Sequence, residues 1–281
     1  MSLTYEQVKE VKTFLNDPDP YVRFIGAASI VDLCACDCIS DNIVKLQVAR
    51  DVLGVLPKET DKEVKPMLAR ALSALGSSIA VEPLISEAEK DSDSNFVANV
   101  AGALGSIDYQ GNLDLRAKAT DWLVKNLKNS DGGVRASCAN ALGKIDYSDS
   151  PELQNKIKGV LKEALGDEDA NVILEAAKAL LNIQEREKTP KEPVDEEVKT
   201  KMIKMAVKFN DSGLASIYRQ FVTSSPEIQK AIDEKAIDGL KSLTPEDRRI
   251  ALARLGEIGT KPTVRMDLTE KKHKEGEKLV A

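Results

Sequence analysis

The sequence predicts an all-α protein, built as an α-solenoid of stacked helical pairs. The segment NFVANVAGALGSIDY at 95–109 returns as GVRASCANALGKIDY at 133–147, and a weaker copy, NVILEAAKALLNI, covers 171–183 at the same shift of 38 residues. A period of this length is typical of arrays in which each unit packs only on its neighbours. Hydrophobic residues form 42% of the chain but aromatic residues only 4%, which suits closely packed helices better than a sheet.

One unit, residues 131–166, shows the predicted pattern of helix, turn and helix in full. Asp131 is placed to cap a helix, and Ser150-Pro151-Glu152 has the residue types that begin the next one. Gly143 has no side chain, so a neighbouring helix can approach the backbone closely. The apolar positions of the first helix follow helical spacing and are Val134, Cys138, Ala141, Leu142 and Ile145.

The same template, applied outward, predicts about five helical pairs within residues 1–185. Residues 16–33 and 61–76 repeat the acidic turn and the Ala-rich helix. The pattern breaks where prolines and dense charge begin, which predicts a linker at 186–195. Beyond it we expect divergent helical repeats at 196–259 and a charged, flexible tail at 260–281.

Charge and hydropathy narrow the classes of partner. Residues 1–185 carry 20 Lys and Arg against 29 Asp and Glu, a net charge of −9, whereas the remainder has a net charge of +3. An acidic array disfavours binding to a phosphate backbone, so no nucleic-acid partner is expected. No signal-like segment and no 18-residue apolar run is found, so we expect a cytoplasmic protein without a membrane partner.

The segment VRASCANALGKI at 134–145, with Asp131 just upstream, resembles the HEAT-like repeats first associated with phycobilisome lyases. The Val-Arg pair recurs as Val22-Arg23, and the equivalent pair in the second unit is Val64-Lys65. The resemblance covers about residues 14–185 and implies a right-handed superhelix whose second helices line a groove. It also implies that the turn aspartate and Arg135 brace neighbouring units rather than bind a ligand.

Polar residues at equivalent outward positions of the second helices form three columns across this predicted groove. Such side chains can hydrogen-bond an extended peptide or a protein surface, although a merely solvated face has the same composition. The interpretation is a noncatalytic interaction or assembly scaffold that binds a protein or peptide and needs no cofactor. The columns are Asn99, Ser137 and Glu175; Gly102, Asn140 and Lys178; and Ser106, Lys144 and Asn182.

Two other functions stay open on the sequence alone. The resemblance implies a phycobilin lyase or chaperone-like factor as the alternative function. A metal or redox role would depend on Cys34, Cys36 and Cys38, whose spacing is unlike both a zinc site and a paired disulfide framework. No catalytic residue is predicted, because the single histidine, His273, lies in the charged tail. Trp122 is interpreted as helix packing rather than a base-stacking platform.

Overall fold

A computed structural model of the chain describes residues 3–109 and 111–186. The predicted linker from residue 187 onward, the predicted repeats at 196–259, the tail at 260–281 and His273 lie outside the described residues. Within those residues, eleven α-helices and two short 3₁₀ turns, Leu56–Lys58 and Ser78–Ala80, are connected by short turns. The helices are α1 (Tyr5–Val8), α2 (Val11–Leu15), α3 (Pro20–Ala35), α4 (Asn42–Val55), α5 (Val64–Leu75), α6 (Val81–Ala88), α7 (Ser94–Ser106), α8 (Leu113–Asn126), α9 (Gly132–Lys144), α10 (Pro151–Ala164) and α11 (Ala170–Arg186).

The helices form two layers. We call α3, α5, α7, α9 and α11 the second helices, and each of them packs on the next one along the chain. Helices α4, α6, α8 and α10, which we call the first helices, each precede a second helix and pack on it. The short α2 packs on α3 at the beginning of the array. This serial packing is an all-α solenoid, as the repeat predicts.

Each second helix is preceded by an aspartate whose side chain bonds to the backbone at the start of the helix. The side-chain oxygen of the aspartate accepts a hydrogen bond from a backbone N–H two or three residues later. Such a cap satisfies one of the free donors at a helix N-terminus and fixes where the helix begins. We call these the capping aspartates: Asp19, Asp61, Asp93, Asp131 and Asp169. In α5 the aspartate stands three residues before the first helical residue, Val64, and its side chain accepts the Val64 N–H. The predicted cap at Asp131 is therefore confirmed.

Two glycines bring the backbones of neighbouring second helices into contact. A Cβ atom built on Gly105 of α7 would lie 2.6 Å from Cα of Ala141 in α9. A Cβ atom on Gly143 of α9 would lie 2.3 Å from Cα of Ala179 in α11. The two contacts are related by the 38-residue repeat, so the same interface is built twice. The predicted close approach at Gly143 is confirmed.

The core lies between the two layers. Leu104 and Leu142, at equivalent positions of α7 and α9, are completely buried. Trp122 of α8 is also buried, which agrees with a packing role. Tyr109 follows α7, and its hydroxyl donates to the Leu104 carbonyl at 2.8 Å. Tyr147, which aligns with Tyr109 in the 38-residue repeat, is buried as well, so both tyrosines belong to the hydrophobic core.

Replacing Gly143 with alanine should destabilise the protein, because the added methyl group would have to separate α9 from α11. Overpacking of this kind costs about 1–3 kcal/mol of unfolding free energy. Gly159 in α10 is the matched control, since a Cβ atom there meets nothing within 4 Å. Gly159→Ala should stabilise by about 0.5–1 kcal/mol, because alanine is the better helix former. Urea unfolding of both variants measures the difference, and equal midpoints would contradict the described contact.

Candidate protein-binding face

An arginine braces the turn of one unit against the turn of the next. The Arg135 guanidinium makes two hydrogen bonds to the Asp167 carboxylate, Nε to Oδ2 and Nη2 to Oδ1, both of 2.8 Å. Its third nitrogen, Nη1, donates to the backbone carbonyls of Asn129 and Ser130 in its own turn. Arg135 is only 8% exposed, and these hydrogen bonds compensate for the cost of burying its positive charge. The bracing role is thereby confirmed, although the acid that pairs with Arg135 is Asp167 and not the capping Asp131.

The same brace is built in two earlier units. The Arg23 guanidinium contacts the Glu59 carboxylate through Nε at 2.7 Å and Nη2 at 3.0 Å. Lys65 Nζ lies 2.5 Å from Oδ2 of Asp91. In each case the cation stands four residues after a capping aspartate, and the acid stands two residues before the next one. The brace is therefore a repeated feature of the turns.

One position in the series lacks both charges. The residue four positions after Asp93 is Val97, which is buried, and the residue two positions before Asp131 is Asn129. The Asn129 side chain still accepts the backbone N–H of Asp131 at 2.9 Å, as the acids do in the other turns. Cation and acid are thus absent together, so neither is left buried without its partner, which would cost several kcal/mol.

Because the caps fix the register, the outward positions of the second helices are equivalent. Residues 6, 9 and 13 positions after each capping aspartate lie on one side of the helix and are half-buried or exposed. We call this surface the second-helix face. The predicted columns lie on it, with Ser106, Lys144 and Asn182 exposed and the other six residues half-buried. That these residues bind a partner stays a prediction.

Several side chains of the second-helix face form hydrogen bonds within the face. Asn140 of α9 donates its amide N–H to Oε2 of Glu175 in α11, and Lys178 Nζ lies 2.6 Å from the other oxygen of Glu175. Asn99 of α7 donates its amide to the Asn95 backbone carbonyl one turn earlier at 2.8 Å. Asn140, Glu175 and Lys178 therefore form one polar cluster across two helices, and they do not act as independent contact points.

The repeat-based prediction missed the part of the face that lies on the first two second helices. Six residues on α3 and α5 occupy the same three positions, counted from the capping aspartates Asp19 and Asp61. The acidic turns at these aspartates are visible in the sequence and could have extended each column by two residues. The added residues are Ile25 and Met67, Ala28 and Arg70, and Asp32 and Ala74.

The cysteines differ from the sequence-based expectation. The structure pairs Cys36 with Cys38 in a disulfide, with their Cα atoms 5.3 Å apart. Helix α3 ends at Ala35, and Asp37 has a positive φ of 54°, so the two cysteines lie in a tight turn rather than on a helix. Cys34 is half-buried and free. In the described ranges, no group of three or more His, Cys, Asp or Glu residues is arranged to hold a metal ion.

Comparisons with known proteins agree with a helical-repeat architecture. Residues 81–155 match the family described as HEAT repeats. This match supports HEAT-like repeats in general, and it does not show the more specific resemblance to phycobilisome lyases. A comparison with curated proteins found no match. In the described part of the chain, no helix is both long and apolar enough to cross a membrane.

The chain is also similar to solved structures of engineered and designed proteins. One is an engineered protein with 22% identity, covering 84% of this chain and 96% of the other at a TM-score of 0.48. Another is a designed armadillo repeat protein in complex with the peptide (KR)4, with 17% identity, covering 88% and 98% at a TM-score of 0.47. Because these TM-scores are below 0.5, the fold assignment depends on the helix packing and on the match over 81–155. On that basis the described residues form an α-solenoid, in which residues 81–155 are similar to HEAT repeats.

The Arg135–Asp167 brace predicts a pH dependence of stability. Burial alone would raise the pKa of Asp167, but the Arg135 guanidinium and the backbone N–H of Asp169 outweigh it and lower the pKa. A carboxyl with a lowered folded-state pKa stabilises the fold above its unfolded pKa of about 3.9. This stabilisation is lost as the pH falls through the folded-state pKa.

Asp167→Asn should therefore lower the unfolding free energy by about 1–3 kcal/mol at neutral pH, since a charge-assisted hydrogen-bond pair is lost. The difference from wild type should begin to shrink below about pH 4, where the carboxyl of the unfolded chain takes up a proton, and should be lost as the pH falls through the lowered folded-state pKa. Glu168→Gln is the control, because the Glu168 side chain is 92% exposed and lies 3.9 Å from Arg135. Urea unfolding across pH measures both variants. A pH-independent difference for Asp167→Asn would show that charge pairing is not the cause.

Proposed function

We propose that this protein is a noncatalytic scaffold that binds a partner protein on its second-helix face. One observation carries the proposal. Five second helices, each preceded by a capping aspartate and packed on the next, present equivalent side chains next to one another. A surface built on rigid elements in a regular array is suited to recognition, since little order is lost on binding.

The chemistry of the face also favours recognition of a polypeptide. The Asn99 amide and the Ser137 hydroxyl can both donate and accept hydrogen bonds, as a peptide group requires. Lys144 is exposed and forms no ion pair with another described residue. The polar cluster of Asn140, Glu175 and Lys178 offers fixed donors and acceptors whose geometry is already set by contacts within the face.

The first helices carry a different kind of surface. Exposed ion pairs connect them to one another: Lys118 of α8 contacts Glu82 of α6, and Lys156 of α10 lies 3.9 Å from Asp121 of α8. Their exposed charges are thus partly satisfied within the layer. This contrast makes the first helices a suitable site for control substitutions.

The experiment is a quantitative pull-down from a lysate of the source organism. The bait variant Asn99→Ala/Asn140→Ala/Lys178→Ala should lose a partner that wild type captures. Asn42→Ala/Asn155→Ala/Lys118→Ala has the same composition change on exposed positions of the first helices, and it should retain the partner. The loss of the Asn140–Glu175 bond costs about 1 kcal/mol of unfolding free energy. Thermal melts therefore check that both variants are folded.

Equal capture by wild type and both variants would place binding elsewhere and contradict the proposal. Loss of capture by the first-helix variant alone would assign recognition to the opposite layer.

A further inference from the structure

We propose that the second-helix face recognises an extended segment of its partner through a bulky apolar side chain that anchors at α2, α3 and α5. An acidic side chain two residues away would face Arg70. This inference rests on the proposed function, because it specifies the segment that the same face would bind. It comes from the part of the face that the repeat pattern alone did not reveal.

The first observation is a change of polarity along one row of the face. The residues six positions after the capping aspartates run in order across the packed second helices. The row begins with two large apolar residues on α3 and α5 and continues with polar ones from α7 onward. Its members are Ile25, Met67, Asn99, Ser137 and Glu175.

The second observation is that the apolar end of the row is extended by exposed neighbours. Ile25 is 44% exposed, and Tyr21, one helical turn before it on the same side of α3, is 70% exposed. Phe14 of α2 is also 44% exposed, and its Cβ would lie 2.8 Å from a Cβ built on Gly26, the residue after Ile25. Single exposed apolar residues are ordinary, but a cluster of large ones marks a binding surface.

Three of the six large apolar residues that the structure shows as exposed belong to this cluster: Phe14, Tyr21 and Ile25. The other three lie on other elements: Ile43 at the start of α4, Leu113 at the start of α8, and Ile79 in a 3₁₀ turn. The concentration on α2 and α3 therefore sets this end of the solenoid apart from the rest of the described surface.

The third observation concerns charge beside the cluster. Arg70 is exposed, one turn after Met67 on α5, and it forms no ion pair with another described residue. At the equivalent position of α11, Lys178 is neutralised by Glu175. Glu63 lies on the other side of Met67, at the turn edge. An added carboxylate is therefore favoured on the Arg70 side of the apolar cluster and disfavoured on the Glu63 side.

The geometry of an extended chain sets the spacing between the two partner side chains. Residues i and i+2 of an extended segment point to the same side and are about 6.6 Å apart. Met67 and Arg70 are three residues apart on a helix, a rise of about 4.5 Å, and the arginine side chain spans the rest. The segment should therefore read apolar-x-acid or acid-x-apolar.

A partner segment fits the cluster better than a second copy of this chain. The cluster consists of a few side chains at one end of the array, whereas a stable dimer buries about 800 Å² on each partner. Residues 1–185 carry a net charge of −9, so two copies repel each other on approach.

The experiment uses a display library of random linear 12-residue peptides, selected on the full-length protein. Peptides with the apolar-x-acid or acid-x-apolar pattern should be enriched, and fluorescence anisotropy of one such peptide measures its affinity. Ile25→Ser should weaken binding about tenfold, since the apolar contact is lost. Ile43→Ser is the matched control: Ile43 is 68% exposed on a first helix, and its loss should leave affinity unchanged.

Arg70→Glu tests the charge assignment. This variant should bind the acidic peptide more weakly than wild type does. A peptide in which lysine replaces the acid should bind Arg70→Glu with restored affinity and wild type with reduced affinity. Thermal melts of each variant separate a loss of fold from a loss of contact. Equal effects of Ile25→Ser and Ile43→Ser, or the same charge preference in wild type and Arg70→Glu, would overturn the inference.

The remaining outcomes separate this inference from the proposed function. Peptides that lose binding to the Asn99/Asn140/Lys178 triple-alanine variant but not to Ile25→Ser would keep the second-helix face as the binding surface and overturn the apolar anchor. No enrichment on wild type would also overturn the inference, and the pull-down then decides the proposed function by itself. A dimer in sedimentation velocity that Ile25→Ser dissociates would assign the cluster to a second copy and overturn a partner segment.

Discussion

The acidic turn before each second helix is the constraint on which the rest of the structure depends. A capping aspartate bonds to the backbone at the start of the helix, and a residue two positions earlier accepts the backbone N–H of that aspartate. Where that residue is Glu59, Asp91 or Asp167, a cation from the preceding unit also pairs with it, as Arg135 does with Asp167. One short segment thus sets both the start of a helix and its place relative to the preceding unit.

The remaining features follow from this register. Gly105 meets Ala141 and Gly143 meets Ala179 because both pairs of helices begin at equivalent points. Residues that face the next second helix must then be small, and residues that point away from the first helices form the exposed face. The face is regular in geometry but varied in chemistry, apolar at Ile25 and Met67 and polar from Asn99 onward. Regular backbone with variable side chains is what a solenoid contributes to recognition.

Local patterns predicted much of this architecture from the sequence. The 38-residue repeat indicated stacked helices, and residue type alone indicated the Asp131 cap and the thin backbone at Gly143. Contacts between distant residues were harder: the acid that pairs with Arg135 is 32 residues away, and many acids were candidates. The Cys36–Cys38 pair depends on where α3 ends and on the left-handed conformation of Asp37. The face residues of α3 and α5 were left out because the columns were counted along the 38-residue repeat and not from the acidic turns.

The measurement that tests the central claim most directly is site-specific photo-crosslinking in the source organism. A photoreactive benzoylphenylalanine at Ser137, in the middle of the second-helix face, is compared with one at Asn155, exposed on the first helix α10. Crosslinks from position 137 to a specific partner, with none from position 155, are the predicted result. A partner crosslinked from position 155 and not from 137 would contradict the assignment of binding to the second helices.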